Sequence, residues 1–223
     1  RLAAVSACGW GPGGPRAAST GRRGALRGQA LIEFCGGAAH CSRYASRHRA
    51  RVVATDIAGG MLRQGLDLNL RFTVESGLTL PLVQCDAASL PFGGGSFDTV
   101  FTSYGAVPFV ADSAAVMAEA ARVLRPGGRF VFSTTHPIRW VLPDDPGYPG
   151  LTVASSYFDR TPYVEEQSGA AIYVGHPRTM GERGRELRAA GHTRGERGQP
   201  DGAVQHPPGG GGGSALRGRE VRG

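Results

Sequence analysis

Ala30-Leu-Ile-Glu-Phe-Cys-Gly-Gly-Ala-Ala39 decides the fold: a short apolar run carries a carboxylate, Glu33, and gives way at once to a turn of small residues. Outward from it the same grammar repeats. Arg51-Val-Val-Ala-Thr-Asp56 is a second apolar run ending in an acid, and Val83-Gln-Cys-Asp86 is a third. Ser96-Phe-Asp-Thr-Val-Phe101 is strand-like, and Leu124-Arg-Pro-Gly-Gly-Arg-Phe-Val-Phe132 is a turn feeding a fifth run. Strands alternating with helical stretches of about ten residues make a parallel α/β sheet. Ligands bind such sheets outside the carboxyl ends of the strands, where these acids and small residues fall.

Strands are therefore expected over 30–34, 51–56, 81–85, 97–102 and 129–134. The fold class is a Rossmann-like, doubly wound, mostly parallel α/β sheet of order 3-2-1-4-5, with the small-residue turn at the switch between strands one and four. Helices are expected from Ala39 to Arg49, from Ala58 to Leu70 and from Ser113 to Leu124. The second would turn Met61, Leu62, Leu66 and Leu70 to one face, and Asp112 would cap the third.

Composition restricts the function classes. The 223 residues carry a net charge of +7, yet residues 29–174 hold 11 Arg against 13 acids. The excess lies in residues 1–28, with five Arg and no acid, and in 175–223, with nine Arg and five acids. A nucleic-acid reader would carry its basic stripe on the folded part, so no nucleic-acid partner is expected. No apolar run approaches the ~20 residues of a membrane span and no signal peptide is recognisable, so a cytoplasmic location is expected. The four cysteines form no C-x-x-C pair and no His stands at zinc-finger spacing from them. Reduced thiols and no metal are the reading.

Three zones follow: a Gly/Arg/Pro-rich tail over 1–28, a patterned domain over 29–174, and a mostly disordered Gly/Arg-rich tail over 175–223 with one short helix between Glu182 and Ala190. Residues 138–174 form an insert holding Trp140, Tyr148, Tyr157, Phe158, Tyr163 and Tyr173. Dense aromatics beside a cleft suit a lid over an organic acceptor, or the packing of a peripheral hairpin.

The residues also specify a cofactor class. A Gly-rich turn between strand and helix lets backbone approach a ligand and points free amides at it. Asp56, 23 residues after Glu33, is placed to accept both hydroxyls of a ribose, or else only to cap the following helix. Asp86 is placed for an exocyclic adenine amine. The turn Cys35-Gly-Gly-Ala-Ala-His40 does not fit the G-x-G-x-x-G/A register of dinucleotide dehydrogenases, which leaves an NAD(P)-dependent oxidoreductase as the weaker alternative.

Ile32-Glu-Phe-Cys-Gly-Gly-Ala-Ala-His-Cys-Ser-Arg43, Val53-Ala-Thr-Asp56, Gln84-Cys-Asp-Ala87, Leu90-Pro-Phe92, Ser96-Phe-Asp98 and Val123-Leu-Arg-Pro-Gly-Gly-Arg-Phe130 together resemble the class I S-adenosylmethionine-dependent methyltransferases of the small-molecule, single-domain type. The resemblance covers residues 29–174 and implies S-adenosyl-L-methionine as cofactor and a small-molecule methyl acceptor. It implies that Glu33 orients the turn and the methionine end of the cofactor, with Gly36, Gly37 and Ala38 under its carboxypropyl chain and ribose. Asp56 would hold the ribose hydroxyls, Ile57 and Met61 would lie against the adenine, Asp86 would bind its amine and the Ala87 amide a ring nitrogen. Backbone around Ser103 would pass below the sulfonium. His136, just past the fifth strand, is the candidate general base or a mere turn stiffener, and Tyr104 is a second catalytic candidate.

Two departures from the family pattern stand out. The family turn reads Glu-x-Gly-x-Gly, and here its first glycine is Cys35. The family also closes its sheet with strands six and seven, for which nothing after Ile172-Tyr-Val174 has strand periodicity. The tails read as out-of-frame translation of a GC-rich gene, so the chain is expected to be an incomplete or frameshifted methyltransferase. An inactive remnant that at most binds the cofactor is then the alternative function.

Overall fold

The computed structural model describes residues 26–143, 148–168 and 170–193; the remainder of both expected tails lies outside the described residues. Five strands form one parallel sheet: β1 (Ala30–Glu33), β2 (Arg51–Asp56), β3 (Leu82–Gln84), β4 (Phe97–Ser103) and β5 (Leu124–Ser133), in the order β3-β2-β1-β4-β5. The expected order and switch point are both present. β1 is buried on both faces, as a central parallel strand must be. Leu31 packs with Ala45, Val52, Phe72 and Phe101 on one side. Ile32 and Phe34 pack with Val100, Val116, Ala120 and Val123 on the other. Each such fully buried side chain contributes about 1.5–3 kcal/mol.

Helices α1 (His40–Arg47) and α2 (Gly59–Ser76) cover the first face, and α3 (Ser113–Val123) covers the second. Asp112 caps α3 as expected, its carboxylate accepting the Ala115 amide at 3.0 Å.

Two elements differ from expectation. β5 begins at Leu124, which pairs with Phe97; the ladder then breaks over the Pro126-Gly-Gly128 turn and resumes with Arg129 opposite Thr99. Gly127 sits at φ +77°, and a Cβ on Gly128 would lie 2.9 Å from the Arg125 carbonyl, so the bulge needs these glycines. α2 runs on to Ser76 and buries Leu62, Gly65, Asn69 and Phe72, whereas Met61, Leu66 and Leu70 face solvent, Leu70 at 70% exposure. The physical reason is Gly65. A Cβ there would stand 3.0 Å from Leu82 and 3.7 Å from the Ala38 backbone, so the helix lies against the turn through its smallest residue.

The Ile172-Tyr-Val174 run does not extend the main sheet. β7 (Ala170–Gly175) pairs antiparallel with β6 (Tyr163–Gln167) in a separate hairpin, and among the described residues β5 remains an edge strand. A fourth helix, α4 (Met180–Ala189), opens on a capping box: Thr179 accepts the Glu182 amide, and Glu182 accepts the Thr179 amide at 2.8 Å. Arg183 anchors it by donating to the Val107 carbonyl at 3.0 Å.

Candidate cofactor site

The turn after β1 is built from beneath by Glu33. Its side chain is 3% exposed, and one carboxylate oxygen accepts both the amide of Ser42, at 3.0 Å, and the Ser42 hydroxyl. Ser42 is the third residue of α1, whose N-cap, Ala39, has no side chain to offer; Glu33 performs from the strand the task a cap residue usually performs. Burial pushes its carboxyl up to about 7, with the Ser42 hydrogen bonds pulling the other way. A Cβ on Gly36 would lie 2.9 Å from the Glu33 carboxyl carbon, so the turn can pass over the acid only through glycine.

Gly37 sits at φ +55°, and its amide donates to Asp56 at 2.8 Å. The other Asp56 oxygen accepts the Ala58 amide at 2.8 Å. Asp56 thus caps the entry to α2 and ties that entry to the glycine turn; each carboxylate oxygen keeps a second lone pair for a ligand hydroxyl. Asp86, exposed beyond β3, accepts the Ala88 amide at 2.8 Å through one oxygen, and Ala87 beside it is buried. Met61 reaches over the turn, its methyl 3.0 Å from where a Gly37 Cβ would stand, while Ile57 is 61% exposed.

The loop after β4 meets the turn at the switch point. A Cβ on Gly105 would lie 2.5 Å from the Cys35 carbonyl and 2.9 Å from both the Cys35 Cβ and the Thr102 hydroxyl. That hydroxyl is fully buried and makes no hydrogen bond. Non-glycine residues with positive φ gather here: Cys35 at 45°, Ala39 at 60°, Tyr104 at 55° and Ala106 at 50°. Such backbone concentrates where a ligand is held. Ser103 is the last residue of β4 and Tyr104 the first beyond it, its amide donating to the Ser133 carbonyl at 3.0 Å.

Cys35 therefore occupies a left-handed position, which costs a residue with a Cβ about 1–2 kcal/mol. Cys35→Gly is expected to raise the melting temperature by about 2–4 °C, the equivalent of about 1 kcal/mol in a chain of this size. A lowered melting temperature would show that the sulfur's packing outweighs the strain. Burial pushes the Cys35 thiol up to about 12, so it is no nucleophile at neutral pH. Cys35 and Cys85 are free thiols.

His136 is exposed, and its Nδ1 accepts the Ile138 amide at 3.1 Å to open a single 3₁₀ turn. Accepting there places the proton on Nε2, so in this geometry the ring offers a donor rather than a base. Beside it, Pro137, Trp140, Tyr157, Tyr163, Pro177 and Arg178 line a cleft of about 200 Å³. A larger groove, about 460 Å³, lies at the opposite, amino ends of the strands against Ala30, Val52, Pro81 and Phe97 and carries no acid. The acids Glu33, Asp56 and Asp86 stand instead at the carboxyl ends.

Residues 33–132 match the model of the methyltransferase domain family. The fold resembles an S-adenosylmethionine-dependent methyltransferase from Mesorhizobium loti at a TM-score of 0.60 and 25% identity, over 78% of this chain and 81% of that one. In fold and in the domain over residues 33–132 the chain resembles the class I S-adenosylmethionine-dependent methyltransferases. A second structure, from Listeria monocytogenes, shares the fold at a TM-score of 0.62 and 17% identity, over 74% of this chain and 77% of that one. In sequence the chain is 35% identical over 119 residues to the ubiquinone/menaquinone biosynthesis C-methyltransferase UbiE of Bordetella avium, covering 52% of this chain and 44% of that protein. It is 37% identical over 118 residues to the demethylmenaquinone methyltransferase of Mycobacterium bovis, covering 50% and 46%. The chain thus spans less than half the length of these two relatives.

The cofactor of the family is S-adenosylmethionine, and the residues present fit it. Acids stand at or just past the ends of three adjacent strands, glycines at 36 and 37 leave room that a Cβ would fill, and the orphaned Thr102 hydroxyl lies at the switch point. Among the described residues no group of three or more His, Cys, Asp or Glu is placed to hold a metal ion, and no helix is long and apolar enough to cross a membrane.

Proposed function

We propose that this chain transfers a methyl group from S-adenosylmethionine to a small organic molecule. The bound cofactor supplies a sulfonium-activated methyl group, and the chain's residues hold it and the acceptor in line. Positioning of that kind supplies most of the barrier reduction when the acceptor is already nucleophilic. The observation that carries the reading is the alignment of Glu33, Asp56 and Asp86 along neighbouring strand ends around the turn at 35–39. Asp56 takes the ribose hydroxyls, Asp86 the adenine amine and Ala87 a ring nitrogen, with Ile57 and Met61 against the base. Gly36, Gly37 and Ala38, set by Glu33, underlie the amino-acid chain, and Ser103 lies near the sulfonium.

The acceptor side is aromatic. Phe109 and Tyr173 meet edge-on at 5.1 Å, and Trp140 and Tyr163 lie 5.3 Å apart, linking the β4 loop to the hairpin. His136 stands beside the 200 Å³ cleft as a hydrogen-bond donor, and Tyr104, on the strained loop after β4, is the second catalytic candidate. A ring-carbon acceptor accords with the names of the quinone-related enzymes above.

A second reading, that the chain binds the cofactor without turnover, is favoured by the strained Cys35 turn. Methyl-labelled S-adenosylmethionine incubated with the full chain and a panel of quinols, phenols and amines separates the two. Label transfer to any acceptor supports the enzyme; cofactor binding with no transfer across the panel supports the remnant.

A further inference from the structure

Arg43 is buried at 3% exposure and forms no ion pair among the described residues. Its guanidinium donates to three neutral acceptors from two elements: the Ala38 carbonyl in the turn, Asn69 Oδ1 at 2.9 Å and the Gly65 carbonyl at 3.5 Å, both in α2. Asn69 passes the link on, donating to the Leu80 carbonyl at 2.7 Å just before β3. Burying a guanidinium is costly unless its donors are satisfied, and a planar fork satisfies them only if the acceptors stay in fixed relative positions. Burial pulls the Arg43 proton affinity down, and Glu33 beneath the turn opposes that.

The Ala38–Ala39 peptide is where such a restraint matters. Ala39 is left-handed at φ 60°, ψ 40°, a conformation alanine holds only when its neighbours dictate it. Two bonds do so: the Ala39 amide donates to the Gly36 carbonyl at 2.8 Å, and Arg43 takes the Ala38 carbonyl from the other side. We propose that Arg43 is a positioning residue of the cofactor turn, clamping the Ala38–Ala39 peptide to α2 so that the turn is presented in one shape to the amino-acid end of the cofactor. This rests on the reading that residues 36–38 underlie that end.

Calorimetry on the full chain with S-adenosylhomocysteine and with adenosine tests it, because adenosine lacks the amino-acid chain. Arg43→Met is expected to weaken S-adenosylhomocysteine by about 30-fold and adenosine by less than about threefold. Ala39→Gly removes the left-handed penalty, so adding it to Arg43→Met is expected to recover about tenfold of the lost affinity. If Arg43→Met does not fold, Arg43→Lys, which keeps the charge but not the fork, is read in the same way. Equal losses on both ligands with no recovery in the double variant, or unchanged S-adenosylhomocysteine affinity, overturn the clamp alone. Failure of the unmodified chain to bind S-adenosylhomocysteine overturns the functional reading and the clamp with it.

Discussion

Asp56→Ala is expected to weaken S-adenosylhomocysteine binding by about 100-fold, since hydrogen bonds to a charged acceptor are worth about 1.5–3 kcal/mol and a ribose offers two hydroxyls. The same change strips an acceptor from the Gly37 amide and another from the Ala58 amide, so part of the loss arises from a loosened turn. Asp56→Asn separates the contributions. Its amide keeps one acceptor oxygen with no charge, and an affinity between the wild type and Asp56→Ala is expected. Titration calorimetry reads all three. If Asp56→Ala binds as tightly as the wild type, the carboxylate is only a helix cap and the ribose is held elsewhere.

The second large effect concerns stability. Glu33 is buried, and its carboxyl lies at about 7 in the folded chain against an ordinary value of 4.5. The folded state therefore binds this proton more tightly than the unfolded state. The stability it contributes is fully present below about pH 4.5 and is lost as pH rises through about 7, a total of roughly 3 kcal/mol at ~1.4 kcal/mol per unit. Glu33→Gln cannot ionise, and its amide oxygen can still accept from Ser42. Denaturant unfolding of both proteins between pH 5 and 8 is expected to show the wild type losing roughly 3 kcal/mol relative to Glu33→Gln across that window. Parallel curves would mean that Glu33 stays ionised throughout, relieved by the Ser42 bonds.

Much of this was legible in the sequence because it is written locally. Apolar runs ending in or near acids gave the strands and their order, and Asp112 before Ser-Ala-Ala-Val116 announced the cap of α3. Family resemblance points to the acids at the strand ends, and the structure places Glu33, Asp56 and Asp86 at or just past the ends of three adjacent strands. What was not legible depends on contacts distant in the chain. The buried face of α2 is chosen by Gly65 and Asn69 meeting the turn and β3, so counting apolar residues on that helix selected the wrong face. Cys35 was visible as a departure, but its positive φ is a property of the fold. Arg43 bonds Ala38 only five residues away, but its anchor on α2, Asn69, is 26 residues off, and that distant contact is what gives it a role. The α4 start could have been found, since Thr179-Met-Gly-Glu182 spells a capping box.

The central claim is that the crevice at the strand ends is an S-adenosylmethionine site and not a dinucleotide site. Titrating the full chain with S-adenosylhomocysteine and, separately, with NAD tests it most directly. The geometry predicts saturable heat with S-adenosylhomocysteine that NAD does not displace, because the turn at 35–39 lacks the register a diphosphate needs. Tighter binding of NAD than of S-adenosylhomocysteine would contradict it.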